Sequence, residues 1–172
     1  MSGLIRPLRF LAVSVPLFLL WYYALRSIWM QFVAEVFAFS ARLFGQAIYL
    51  VQIDRGHLMF SYGNAGWENE FGLTSINIVP YIALVLATAN LGGKRYAKML
   101  MVGVPILMFT QVLGLWCDVL CFLVRHDPSA LRFANGVREL FTGFGTFLFP
   151  LLIWLVQIRD RLPLDKLQHA RL

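Results

Sequence analysis

The sequence predicts an all-α membrane protein, a bundle of about four transmembrane helices with an amphipathic segment and a short β-hairpin on the extracytoplasmic side. Of its residues, 59% are hydrophobic and only 14% are charged, and the apolar residues fall into four long runs separated by short charged breaks. About 20 apolar residues in a helix cross the hydrocarbon core, where lipid offers the backbone no hydrogen-bond partners. We therefore predict a single membrane domain over residues 1–172, with spans at about 8–25, 77–92, 98–124 and 137–158.

The first apolar run follows basic residues, as the core of a signal peptide does. The bulky residues Trp21, Tyr22 and Tyr23 stand where a cleavage site needs small side chains. Aromatic side chains are instead typical of a membrane interface. The sequence therefore predicts a retained anchor.

The net charge of +6 indicates orientation rather than a nucleic-acid partner. Lysine and arginine are in excess at both termini and between the second and third runs, whereas acidic residues outnumber basic ones in the remaining connections. An excess of Lys and Arg in short loops marks the cytoplasmic side. We therefore expect both termini in the cytoplasm, with membrane lipid as one partner and no nucleic acid.

Residues 26–76 form the predicted extracytoplasmic insert. Within it, 27–50 mixes apolar and polar residues in a pattern that suits an amphipathic helix on the outer surface or against the bundle, or an extension of the first span. Two β-rich runs, 49–53 and 58–62, flank a glycine-containing turn and predict a hairpin. The acidic stretch 64–70 is predicted to be a loop.

Turns and helix-kinking prolines are also predicted in and between the later spans. Arg125–Ser129 is predicted to be a turn that starts a helix, because Asp and Ser flank a proline there. Lys94–Lys98 is predicted to be a tight basic turn. Prolines lie inside spans two, three and four, where each is expected to kink its helix: Pro80, Pro105 and Pro150.

Polar residues collect at the predicted outer ends of three helices, which the topology places at one level. Beside Thr74, Ser75 and Glu139, they make a candidate outer-face cleft of Asn77, Gln111, Cys117, Asp118, Asn135 and Arg138. Polar side chains at membrane depth normally face the bundle interior or water. A carboxylate at Asp118 is costly unless paired, and Arg138 is its expected partner. The cleft is either a binding or catalytic site or an interfacial ion pair with solvated neighbours.

Metal and cofactor chemistry is not predicted. His57, His126 and His169 lie in a hairpin, a loop and a tail without metal-ligand spacing, and the sequence contains no nucleophile elbow, phosphate-binding loop or dinucleotide fingerprint. Cys117 and Cys121 share a helix face but lie too far apart for an unstrained bridge. We expect both thiols to be packing residues.

Four stretches of the chain resemble the carboxy-terminal core of exosortases and archaeosortases: Phe71–Val79, Lys94–Lys98, Thr110–Leu115 and the run from His126 to Asn135. The likeness is one of layout, over about residues 8–158. It comprises an amphipathic and β-rich part after the first span, a site segment opening the second, a basic turn, a long third span and a short proline-containing loop. The resemblance implies the same fold in a bacterial inner (cytoplasmic) membrane.

Such enzymes are thought to be cysteine transpeptidases that process carboxy-terminal sorting signals, using a Cys, an Arg and a His at successive helix ends. In this chain the Cys position falls on or next to Asn77, which Ile76 and Ile78 flank, the Arg position falls near Cys117 and Asp118, and the His position falls on Asn135. An amide is neither a thiolate nucleophile nor a proton shuttle. The resemblance therefore implies the fold without the activity, similar to exosortase H-associated membrane proteins.

Three functions are consistent with these residues. The first is a pseudoenzyme, a non-catalytic exosortase-like membrane protein that assists envelope protein sorting by binding an active exosortase or a substrate tail at the outer face. The second is a structural or assembly subunit of a larger membrane complex. The third is a thiol enzyme that uses Cys117, which its apolar surroundings and the neighbouring Asp118 disfavour because both raise a thiol pKa.

Overall fold

The computed structural model describes residues 7–54, 57–62, 65–69, 75–89 and 91–161. Its helices are α1 (Pro7–Leu20), α2 (Arg26–Leu43), α3 (Ile78–Ala87), α4 (Gly93–Leu123), α5 (Pro128–Glu139) and α6 (Gly145–Ile158). Its strands are β1 (Ile48–Asp54), β2 (His57–Tyr62) and β3 (Ala65–Asn69). Short π-helical turns, Trp21–Leu25 and Leu140–Phe144, join α1 to α2 and α5 to α6 without interrupting the helix.

Three helical stretches are long and apolar enough to cross a membrane: Leu8–Leu43, Gly93–Leu123 and Pro128–Ile158. The predicted second span, 77–92, is shorter than these. It contains the ten residues of α3 after a single 3₁₀ turn, Ser75–Asn77, about 20 Å in all, against a hydrocarbon core of about 30 Å. The structure therefore shows a mostly helical chain with three candidate spans and one short apolar helix.

The first helix does not end near residue 25. It continues through the π-helical turn into α2 and reaches Leu43, so residues 27–43 continue the first helix, as one of the alternatives for this segment predicts. No glycine, proline or side-chain cap breaks the chain between residues 17 and 43. One face of α2 is nevertheless buried against the bundle, and the other exposes Phe32, Phe39 and Leu43.

The predicted hairpin is confirmed. Strands β1 and β2 are antiparallel, with Ile48 opposite Tyr62 and a bulge between Leu50 and Gln52; residues 55–56 of its turn lie outside the described residues. The predicted loop 64–70 is wrong for residues 65–69, which form the antiparallel strand β3 beside β2.

Strand β3 forms because its aromatic residue is packed. The Trp67 ring stacks on Phe60 at 5.2 Å and on Phe122 at 5.9 Å between ring centroids. Packing a ring of this size favours the strand by more free energy than the loop-like composition of the flanking residues costs. A sheet of three strands is accordingly packed on the helices.

Two hydrophobic clusters hold the bundle together. The sheet-side cluster packs α2 and the three strands against the second half of α4, around Phe37, Phe60 and Leu115. The loop-side cluster packs α3, the first half of α4 and α6 around Tyr81, Leu107 and Trp154. A smaller cluster of Trp21, Ile78 and Val79 joins the first helix to α3 between them.

Two further expectations need correction. Lys94–Lys98 is not a turn, because helix α4 already begins at Gly93, after Gly92 in an extended conformation. Pro80 lies in the first turn of α3, where its missing N–H leaves no helix hydrogen bond unmade. Pro105 and Pro150 are inside their helices as expected.

Tyr81 and Gly103 mark the closest helix contact at the loop-side cluster. The Tyr81 hydroxyl lies 2.5 Å from the Met99 carbonyl oxygen and 2.8 Å from Oε1 of Gln157. A Cβ atom on Gly103 would lie only 1.9 Å from that hydroxyl oxygen. Glycine at this position is therefore what allows the tyrosine to reach across α4.

We predict that Gly103→Ala lowers the stability of the bundle by about 1–3 kcal/mol, the usual cost of overpacking a core. The matched control is Gly136→Ala, because a Cβ there meets no atom within 4 Å and alanine favours the helix by about 0.5–1 kcal/mol. Thermal unfolding in one detergent measures both variants. Equal melting temperatures for the two would contradict the Tyr81–Gly103 contact.

We expect the stability of the fold to depend on pH through a residue at the start of α5, outside the candidate spans. The Asp127 carboxylate accepts from the Ser129 hydroxyl at 2.6 Å and from the N–H groups of Ser129 and Ala130. These bonds, the hydroxyl first, lower the pKa of Asp127 below its ordinary value of 3.8. A lowered folded-state pKa stabilises the fold above the ordinary value and loses that contribution as the pH falls through the lowered one.

Asp127→Asn should therefore melt at a lower temperature than the parent at pH 7, and the gap should close as the pH falls below 3.8. Melting curves of both proteins across this range measure it. Asparagine keeps the side-chain cap without the charge, so a gap that does not change with pH would rule out the carboxylate's charge as its cause.

Candidate functional site

Gln111 on α4 links three separate parts of the chain. Its Nε2 donates to Oδ1 of Asn77 at 2.6 Å, and its Oε1 accepts from the Trp29 indole N–H at 2.8 Å. Gln111 and Asn77 are only 4% and 2% exposed. Buried amides are costly unless hydrogen-bonded, so this chain of bonds holds α2, α4 and the start of α3 in one arrangement.

Asp118 lies two turns further along α4. Its Oδ1 is 2.9 Å from Nε of Arg138 on α5, and its Oδ2 accepts from the side-chain amide of Asn69 on β3. The arginine approach has the distance of an ion pair without the alignment of a hydrogen bond. The expected pairing of Asp118 with Arg138 is thus present, and it also ties the sheet to both helices.

Asn135 meets a cysteine, though not the one in the predicted cleft. The Cys121 thiol donates to Oδ1 of Asn135 at 3.5 Å, whereas Cys117 is buried. Two of the three histidines are engaged elsewhere: His57 pairs with Glu68 at 2.7 Å, and His126 accepts from Arg125, while His169 lies outside the described residues. Neither described histidine is therefore paired with Cys117.

Five of the six predicted residues form a ladder of pairs along α4 and not one pocket, and Cys117 is buried outside these pairs. Gln111, Asp118 and Cys121 follow one another along the sheet-side half of α4. Gln111 meets Asn77 and Trp29, whereas Asp118 and Cys121 both meet α5, at Arg138 and Asn135. At 1.5 Å per residue, Gln111 and Asp118 are about 10 Å apart. Asn77 and Asn135 lie at opposite ends of this ladder, and Thr74 lies outside the described residues.

The cleft between these paired side chains is small. A cleft beside α4 is lined by Asn69, Thr110, Gln111, Gly114, Leu115, Asp118, Phe141 and Thr142, and it has room for about one water molecule. Its floor is narrow because α4 and the π-helical turn approach closely at Gly114, where a Cβ would lie 3.4 Å from Thr142. The cleft is too small for a peptide.

Two residues of the ladder were not predicted, Trp29 and Asn69. The position of Trp29 follows from the extension of the first helix, which was one of the alternatives for 27–50, and that of Asn69 follows from strand β3, which was not predicted. A buried tryptophan N–H needs an acceptor, and that requirement was the available signal for Trp29. Among the described residues no group of three His, Cys, Asp or Glu could hold a metal ion.

Comparisons with known proteins add no assignment. No protein-family model matches the chain, and no curated protein or solved structure matches it significantly. The likeness to exosortases therefore rests on the sequence layout alone.

The ion pair gives a direct test of the ladder. We predict that Asp118→Asn and Arg138→Gln each destabilise the fold. Arg138→Gln should cost more, because it leaves the Asp118 carboxylate, 11% exposed, without its cation, whereas the Arg138 side chain is 43% exposed. In a double-mutant cycle the two should be coupled by about 1–3 kcal/mol.

The same cycle on Arg95 and Asp160 is the matched control. These side chains also pair, at 2.6 Å, but they are more exposed than Asp118, whose side chain is 11% accessible. Screening by solvent should make their coupling smaller. Unfolding free energies of the parent and the six variants decide the comparison, and additive effects at Asp118 and Arg138 would contradict the ladder.

Proposed function

We propose that this chain is a non-catalytic membrane protein that acts by binding another membrane protein. The observation that supports this proposal is that the polar groups at the candidate cleft are paired with one another. Asn77 is bonded to Gln111, Asp118 to Arg138 and Asn69, and the remaining space holds about one water. An enzyme needs a reactive group beside an open substrate site.

The apolar outer surface supports a binding role. In the most apolar part of the Leu8–Leu43 helix only 6% of the residues are buried. Phe18 and Tyr23 on this helix and Phe144 and Phe147 near the start of α6 are all exposed. Surfaces of this kind face lipid or partner helices in a membrane, which provides contact area that the closed cleft does not.

The finer proposal is assistance in protein sorting at the cell envelope. The exosortase-like layout, with Asn77 and Asn135 at the positions of catalytic residues, favours a partner that is an active sorting enzyme or the apolar tail of its substrate. In this proposal the protein lies in a bacterial inner membrane with both termini in the cytoplasm and with the sheet on the outer side. Because the cleft is closed, the proposed contact lies on the helix faces and not among the polar side chains of the ladder.

A structural or assembly subunit of a larger complex is the second candidate. The specific observation in its favour is the combination of a large exposed apolar surface with a very small cleft between α4, β3 and the π-helical turn Leu140–Phe144. This candidate shares the binding role and differs only in the partner.

Cross-linking in native membranes followed by affinity capture tests the proposal. We expect a sorting enzyme, or a substrate with an apolar carboxy-terminal tail, to be enriched over capture with an unrelated three-span protein carrying the same tag. Recovery of a stable complex without either would favour the assembly subunit. Recovery of no membrane protein at all would overturn the binding role.

The thiol-enzyme alternative has its own discriminating variant. Cys117→Ser with Cys121→Ser should leave the capture and the biological activity unchanged, because Cys117 is buried, neither described histidine is paired with it, and the Cys121 thiol bonds Asn135. A folded double variant that captures the partner normally but loses activity would reinstate a catalytic thiol.

A further inference from the structure

Glu139 holds an unusual position at the junction of α5 and α6. It is exposed, and among the described residues it takes part in none of the ion pairs, which join His57 to Glu68, Arg95 to Asp160 and Arg138 to Asp118. After it, residues 140–158 carry no charge. That stretch is about 28 Å long as a helix, close to the thickness of the hydrocarbon core. Glu139 therefore stands at the edge of the apolar part of the helix.

The Glu139 carboxylate points along the helix toward the uncharged stretch 140–158. A Cβ atom on Gly143 would lie 2.8 Å from Oε2 of Glu139, so the carboxylate lies over the Gly143 backbone, one turn further along the helix. Side chains on a helix ordinarily tilt toward its amino terminus. A charged group near apolar surroundings is costly unless it is paired or hydrated. A cation beside Glu139 would therefore stabilise the carboxylate wherever a partner helix displaced its water.

The surface below Glu139 has the shape of a helix-packing groove. Gly143 leaves a notch in the row of side chains at every fourth position, and the depression around it is otherwise lined by Phe144, Phe147, Leu148 and Leu151. Beyond Phe147 the surface continues into a second groove against α1 and α3, lined by apolar groups that include Phe18, Val79 and Pro80. Small residues beside larger ones allow membrane helices to approach closely.

We propose that this surface, which we call the Glu139 groove, binds a transmembrane helix of a partner that carries a lysine or arginine at the level of Glu139. The inference rests on the proposed function, since it names the surface and the chemistry of the membrane protein bound. The charge of the occupant follows from the unpaired carboxylate, and its helical form follows from the notch and from the apolar lining. A lipid tail would fill the groove without bringing a cation to Gly143.

The binding experiment uses the full chain in nanodiscs of phosphatidylcholine. The probes are two synthetic helices of leucine and alanine, about 20 residues long, which carry a single lysine or a single glutamine near the outer end. Energy transfer between labelled chain and peptide measures binding. We expect the lysine peptide to bind about tenfold more tightly, which corresponds to a difference of about 1.4 kcal/mol.

Variants assign the preference to the groove. Glu139→Gln should remove the preference for lysine while leaving the glutamine peptide unaffected, and Gly143→Leu should weaken both peptides by filling the notch. Gly143→Leu displaces only the flexible end of Glu139, so the fold is expected to persist. Glu35→Gln is the matched control, because Glu35 is an exposed carboxylate on α2 and should not alter binding.

Equal binding of the two peptides, or a preference for lysine that persists in Glu139→Gln, would overturn the proposal that the Glu139 groove binds a cationic helix. Competition by a second copy of the chain at the same sites would likewise overturn it, by assigning the surface to self-association. If Glu139→Gln still captures the native partner at full yield, the proposed function stands and this surface is not its site. If the parent captures no partner but discriminates between the peptides, the groove stands and the proposed function fails.

Discussion

The requirement that polar groups inside a membrane helix find partners within the protein organises this molecule. Helix α4 carries Gln111 and Asp118 on one side, and each reaches a residue on another element. An unpaired amide or carboxylate at this depth would cost several kcal/mol. The pairings therefore determine where α3, α5 and the sheet contact α4, and the apolar clusters fill the remaining contacts.

The two main clusters divide the bundle at the level of this ladder. On the loop side, the uncharged stretch 99–117 of α4 runs beside the uncharged stretch 140–158, and both match the thickness of a hydrocarbon core. On the sheet side, α2 and β1–β3 enclose the second cluster around Phe37. The hydrogen bonds and the ion pair of the ladder connect the two parts, because the residues that pair with α4 belong to both of them. A site with this structural task has little freedom to open for a substrate, which is why the proposed activity is binding at the helix faces.

Part of this arrangement follows from sequence pattern alone. The long apolar runs predict helices at the three candidate spans, and they also predict a fourth span where the structure has the short helix α3. Two β-rich runs around a glycine-containing turn predict the hairpin, and an unpaired Asp118 requires a cation such as Arg138. Strand β3 was not predicted because its stability comes from the packing of Trp67 between Phe60 and Phe122, which depends on residues distant in sequence. The same holds for the bond from Trp29 to Gln111, since composition does not show that the first helix continues to Leu43. The Glu139 groove likewise depends on a rotamer that no pattern encodes.

The most direct test of the ladder is the accessibility of position 77, where the exosortase-like layout would have its nucleophile. Asn77→Cys can be treated in intact membranes with a thiol reagent that cannot cross them, with the wild-type chain as the background and His126→Cys, at an exposed turn, as the accessible reference. With Asn77 2% exposed and the cleft closed, we predict labelling at position 77 no higher than the background. Labelling at the rate of the His126→Cys reference would mean that the cleft is open, and it would contradict the account.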